Sequence, residues 1–221
     1  MEDVILRIAM CVPGFLLAIV CHEWAHARMA LHFGDDTALQ QGRLTLNPAA
    51  HIDVMGTIVF PLIFTMLGGV MFGWAKPVPI NARYFKNVRK GVFWVSFAGP
   101  LMNIILGFAF ALVFGAFMVF VSRDFYLHSP LSAMLDFGVR INFILAVFNL
   151  IPFPPLDGSK MVTTFLNYNQ MRKYEEIARF SFPFMMILWF SGALSYILWP
   201  AEAMGQLSKV MFLKLFILIG G

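Results

Sequence analysis

Charge is what this chain has least of. Only 13% of its 221 residues are Asp, Glu, Lys or Arg, while 60% are hydrophobic, and the mean hydropathy is +0.77. Soluble domains carry about a quarter charged residues, so the deficit excludes an ordinary water-soluble fold and makes lipid the solvent for most of the chain. Cysteine is almost absent as well. Cys11 and Cys21 both fall in the first apolar run on different faces of a helix, which excludes a disulfide-stapled scaffold. Acidic residues are missing altogether between Trp74 and Gly91, where Lys76, Arg83, Lys86, Arg89 and Lys90 collect. The formal net charge of +4 is thus gathered beside apolar segments rather than spread over a polar scaffold. Nucleic acid is not an expected partner, and the positive-inside rule marks that loop as cytoplasmic. No internal repeat of the kind a transporter carries is visible, and no low-complexity linker interrupts the chain.

What is present is a series of apolar segments at about 4–33, 54–72, 91–121, 131–153, 177–199 and 210–219. They predict an all-α polytopic membrane protein, a bundle of about five to six transmembrane helices. The last segment is short, and reads either as a tilted span or as an interfacial helix. The whole chain, 1–221, reads as a single integral-membrane domain with a core at about 5–165 and C-terminal helices at about 166–221, leaving no room for a further soluble domain. Glu2 and Asp3 precede the first run where a cleaved signal peptide would carry positive charge, so that segment is expected to be retained.

Within it stands His22-Glu23-Trp-Ala-His26. Two histidines four positions apart share one face of a helix, so both imidazoles can reach one zinc ion, while Glu23 lies beside the metal without ligating it. A neighbouring carboxylate suits a hydrolase that needs a general base for water; a structural zinc site has no use for one. Ionisable residues in hydrocarbon are costly to keep, and this favours function over chance occurrence of the pattern. Cys21 adjoins His22 but diverges from its face by about 100° and reads as a small buried hydrophobe.

A second constellation interrupts the fourth segment: Asn149-Leu-Ile-Pro152-Phe-Pro154-Pro155-Leu-Asp157-Gly158. The prolines forbid a continuous helix and let the backbone open there. Asp157 reads either as the N-cap of a following helix or as the third zinc ligand. Catalytic zinc takes three protein ligands and keeps a fourth position open. The other acidic residues lie at termini, in loops or at span edges, and Asp157 is the best candidate. His51 and Asp53 read as turn and capping groups before they read as a second metal site.

His22-Glu-Trp-Ala-His26, Asn149 and Pro-Pro-Leu-Asp157-Gly158 together resemble the site-2 protease family of intramembrane zinc metalloproteases, in a compact form without PDZ or CBS domains. Ala98-Gly99-Pro100-Leu-Met-Asn103 resembles that family's Gly-Pro-x-x-Asn element, and the resemblance covers about residues 5–165. It implies one zinc ion held by His22, His26 and Asp157, with water activated by Glu23. It also implies that Asn149 stabilises the oxyanion or orients substrate, unless Asn149 only packs helices or satisfies backbone. Asn103 reads more simply as a residue of close helix packing beside Gly99 and Pro100. The implied substrates are single-span transmembrane proteins cut within or near their span. The implied setting is the bilayer of a prokaryotic inner (plasma) membrane, with the active site toward the cytoplasm. A non-proteolytic zinc-binding scaffold or transporter is the alternative, and oligomeric state stays open.

Topology follows from the two ligand-bearing segments. His22 and Asp157 both lie toward the C-terminal ends of their spans, so spans that meet at one depth must run in the same direction. One of the two intervening segments then enters and leaves on one side. Gly56, Pro61, Gly68, Gly69 and Gly73 mark about 54–80 as re-entrant. The return stretch Gly73 to Asn81 reads either as an ordinary interfacial loop or as an extended edge able to pair with unwound substrate.

Overall fold

The computed structural model describes residues 2–66 and 73–220. Nine α-helices occur among them: α1 Glu2–Phe33, α2 Thr37–Gln40, α3 Phe60–Met66, α4 Val88–Phe120, α5 His128–Asn149, α6 Asp157–Thr163, α7 Tyr168–Glu176, α8 Ser181–Phe190 and α9 Ala193–Gly220. No strand occurs among the described residues, so the all-α polytopic architecture holds. Four helices are long and apolar enough to cross a membrane, over Ile8–Phe33, Val88–Phe120, His128–Asn149 and Ala193–Gly220.

The division into spans differs from the expected five to six at the C-terminal end. The apolar segment at 177–199 is not one helix: the chain turns at Gly192, whose φ of 73° suits glycine, and α9 starts at Ala193. The polar residues Glu202, Gln206, Ser208 and Lys209, read as a break before 210, lie inside that one continuous helix. Glu202 and Lys209 pair with α5, through Arg140 at 2.9 Å and through Asp136, and the Ser208 hydroxyl bonds back to the Gly205 carbonyl at 3.0 Å. Pro13, Pro100 and Pro200 are likewise absorbed within α1, α4 and α9, as neighbouring helices allow in membranes.

Small residues let the spans approach closely. A Cβ on Gly14 of α1 would lie 3.3 Å from the Gly138 Cα of α5, and one on Gly107 of α4 would lie 2.9 Å from the Phe143 ring of α5. Toward the other end, His26 of α1 bonds to Val95 of α4 and His22 to Asn103. Residue numbers run oppositely in the α1–α4 pairs His22–Asn103 and His26–Val95, and again in the α4–α5 pairs Phe110–Gly138 and Gly107–Phe143. The spans carrying His22 and leading to Asp157 therefore run in the same direction, with α4 antiparallel to both. Ala111, Val139, Phe143 and Ala201 form a common core that ties α9 to α4 and α5.

Because α4 begins at the end where α1 finishes, residues 34–87 leave and return at one end of the bundle. A π-helical turn at Val54–Val59 runs into α3, and the chain comes back extended. The Trp74 amide donates to the Gly56 carbonyl at 3.0 Å and the Lys76 amide to His51 at 2.9 Å. That is the hairpin path expected of a re-entrant segment at 54–80; its residues 67–72 lie outside the described residues.

Candidate metal centre

Helix α1 sets His22 and His26 one turn apart, and the ring atoms meet a carboxylate delivered from 131 to 135 positions away. His22 Nε2 lies 3.2 Å and His26 Nε2 3.1 Å from Asp157 Oδ2, and the two Nε2 atoms are 3.0 Å apart. All three residues are buried. Among the described residues this is the group of His, Cys, Asp and Glu side chains that could hold a metal ion. Asp157 arrives there because α5 ends at Asn149 and the proline-rich connection releases the chain. It restarts as α6 with Asp157 as its first residue, and Gly158 lies so close to the Leu150 and Ile151 carbonyls that no side chain fits.

The imidazoles are held from behind by α4. His22 Nδ1 sits 2.6 Å from Asn103 Oδ1, and Asn103 spends its amide hydrogens on the Ala18 carbonyl at 3.1 Å and on Asn142 Oδ1 at 3.0 Å. Asn142 in turn donates to the Gly138 carbonyl at 2.8 Å. The network therefore assigns the Asn103 oxygen to His22 and the proton to His22 Nδ1. His26 Nδ1 donates to the Val95 carbonyl at 2.6 Å in the same way. With both Nδ1 atoms engaged from behind, the two Nε2 atoms and Asp157 Oδ2 converge on one point, and with both rings neutral they form three acceptors that a cation among them would hold together. Metal-bound histidines are oriented by such outer partners as a rule.

Zinc fits this set. Bonds of 2.0–2.1 Å in tetrahedral geometry give donor-to-donor edges of about 3.3 Å, against the 3.0–3.2 Å found here. The space beside the donors exists because Gly99 has no side chain. A Cβ there would fall 2.6 Å from His22 Nε2 and closer still to His26 Nε2. Lys160 donates to Asp157 Oδ1 at 3.2 Å, which leaves Oδ2 as the single oxygen facing the histidines.

Glu23 stands outside the donor set, on the side facing the stretch 73–81. Its Oε2 accepts the Val78 amide at 2.8 Å. Pro77 and Pro79 flank that amide and supply no N–H of their own. The stretch is suspended from the residues around it: the Asn81 amide donates to the buried Asp35 carboxylate at 2.6 Å, and Arg43 Nη2 donates to the Lys76 carbonyl at 2.8 Å.

Sequence reasoning brought His22, His26, Asp157 and Glu23 to one place, and the structure gathers them. Asn149 is the last residue of α5, where its amide donates to the Leu145 carbonyl at 3.0 Å. Asp53 caps a helical turn through the Gly56 amide at 2.7 Å, and His51 reaches the Thr45 carbonyl at 2.8 Å, which are capping and turn roles. Asn103 orients a histidine rather than merely packing. Asn142, Asp35, Arg43 and Lys160 were not singled out; an asparagine four residues after Gly138 in an apolar span was the one available signal for Asn142.

The family model of peptidase family M50 matches residues 115–191. A protein of Bacillus subtilis, "Putative zinc metalloprotease YwhC", is 36% identical over 211 residues, covering 93% of this chain and 90% of that protein. "Putative zinc metalloprotease Rip2" of Mycobacterium tuberculosis is 28% identical over 190 residues, covering 84% of this chain and 68% of the other. No solved structure matches the chain.

Proposed function

This chain belongs to peptidase family M50, the site-2 protease family, and on that premise we propose that it is a zinc endopeptidase cutting single-span membrane proteins within or near their transmembrane segment. The observation that carries the reading is the convergence of His22 Nε2, His26 Nε2 and Asp157 Oδ2 inside an integral-membrane helix bundle, with Glu23 beside them.

Zinc held by these three residues supplies electrophilic polarisation of a peptide carbonyl and a more acidic water. Glu23 is the proton carrier: it accepts a proton from the attacking water and returns it to the departing amide nitrogen. It reaches that task by giving up the Val78 amide. Asn149 keeps one amide hydrogen beyond the bond to Leu145, and we assign it to orienting the substrate carbonyl. The stretch 73–81 offers an extended edge to an unwound substrate. The basic residues Lys76, Arg83, Lys86, Arg89 and Lys90 lie at the end of the bundle where α1 finishes and α4 begins. By the positive-inside rule that end faces the cytoplasm, in a prokaryotic plasma membrane.

The test is cleavage of a panel of single-span substrates by purified protein in liposomes, with bound zinc measured in wild type and Glu23→Gln. Cleavage by wild type alone, with one zinc in both, supports the reading. A wild type that binds no zinc overturns it. Zinc without cleavage across a broad panel favours the scaffold alternative. Asn149→Ala is expected to slow cleavage about tenfold with zinc unchanged; an unaltered rate leaves Asn149 as a helix-terminal residue only.

A further inference from the structure

Four charged side chains of α5 and α9 pair with one another away from the metal centre. Arg140 Nη2 bonds to Glu202 Oε1 at 2.9 Å, and one turn along Lys209 pairs with Asp136. Arg140 is 12 residues into a 22-residue span, about 18 Å from its start, which is the middle of a hydrocarbon layer about 30 Å thick. Ionisable groups at that depth ordinarily face the bundle interior or a polar partner. Here the Arg140 side chain is 49% exposed and that of Glu202 38%. Gln206, one turn beyond Glu202, is exposed too and makes no side-chain hydrogen bond among the described residues. The neighbouring face of α9 carries Trp199, Val210 and Ile217, all exposed. A guanidinium, a carboxylate and a carboxamide thus break the surface at mid-depth of a ridge that is otherwise apolar as far as the exposed Lys214, about two turns beyond Gln206.

We infer that this ridge is the contact for a second copy of the chain, associated about a two-fold axis along the membrane normal. The charge arrangement selects that occupant. Arg140 and Glu202 are hydrogen-bonded, so they share one depth. Any partner must present an anion opposite Arg140 and a cation opposite Glu202 at that same depth. A two-fold copy does so by symmetry, each Arg140 meeting the partner's Glu202 and each Glu202 the partner's Arg140. A carboxamide donates and accepts at once, so Gln206 can pair with its own counterpart, as polar residues do between membrane helices. The interface leaves α1 and the face of α4 behind the metal centre uncovered, and its existence does not depend on the protease reading.

Cross-linking in liposomes of phosphatidylcholine and phosphatidylglycerol tests it. In a chain with Cys11→Ser and Cys21→Ala, Gln206→Cys is expected to form a disulfide dimer on mild oxidation. Val113→Cys, at a 51% exposed position on α4, is expected to form none. Gln206→Leu, which leaves the Arg140–Glu202 pair intact, is expected to weaken association by roughly tenfold, read as co-purification of two differently tagged copies. Arg140→Glu and Glu202→Arg should each abolish self-association. The two variants mixed together should associate, because one then carries carboxylates at both positions and the other guanidinium groups at both. A wild type that is monomeric at all protein-to-lipid ratios overturns the proposal. So do equal cross-linking at residues 113 and 206, or folded charge variants that fail to associate when mixed.

Discussion

Behind the metal centre α4 presents a wall; in front of it, the stretch 73–81 hangs as a strap. The wall is made of Val95, Ala98, Gly99, Pro100 and Asn103, every one buried, and belongs to a helix of 33 residues. The strap forms no helix or strand of its own and is held by separate hydrogen bonds: the amides of Trp74, Lys76, Val78 and Asn81 donate outward, and Thr57 and Arg43 donate to its carbonyls, with Trp74, Lys76 and Ile80 exposed. A helix wall fixes ligand atoms to within the tolerance zinc demands, whereas a strap held by separable hydrogen bonds can exchange them for those of a substrate. Wall residues should therefore govern metal content, and strap residues should govern turnover at full metal content.

The largest effect is expected at the wall. Gly99→Ala sets a methyl group against both Nε2 atoms, and zinc per chain measured by atomic absorption should fall close to zero, taking cleavage with it. Full zinc in that variant would break the distinction at once. Next, Glu23→Gln should lower cleavage by about 10²–10⁴-fold and leave one zinc bound, since Glu23 faces the strap. Asn103→Ala removes the acceptor from His22 and should weaken zinc affinity by about 10–100-fold, read by competition with a chelator of known strength. Activity restored at saturating zinc would mark Asn103 as a positioning residue. The smallest effect belongs to the strap's outer tie. Arg43→Ala loosens the Lys76 carbonyl and should raise KM a few-fold, the scale of one surface hydrogen bond of about 1 kcal/mol, with zinc unchanged. Loss of zinc in that variant would show wall and strap to be one mechanical unit.

The donor set was legible because its chemistry is local: four-residue spacing puts two histidines on one helix face, and an aspartate after three prolines has few other uses in an apolar segment. Direction of the spans followed from the position of His22 and Asp157 within their runs, and the pairing of α1 with α4 and α5 agrees. What supports the donors was not legible. Asn103 and Asn142 act across helices, through hydrogen bonds that depend on how α1, α4 and α5 rotate against one another, and no periodicity in a uniformly apolar span records that rotation. The C-terminal helix was divided wrongly for a related reason. Glu202 and Lys209 look like the end of a span when taken alone, and become compatible with one only when Arg140 and Asp136 of α5 are known to meet them.

The distance along the chain between His22 and Asp157, 135 positions, gives the ion a second consequence. Zinc held by both residues would close a loop containing all of α4 and α5, and so would staple the bundle as well as serve the proposed chemistry. The donor set is complete only once the ribosome has made residue 157 and the first three spans have inserted. Metal loading would then be a late event of biogenesis. A nascent chain stopped after Asn149 would already be threaded through the membrane and would still take up no zinc.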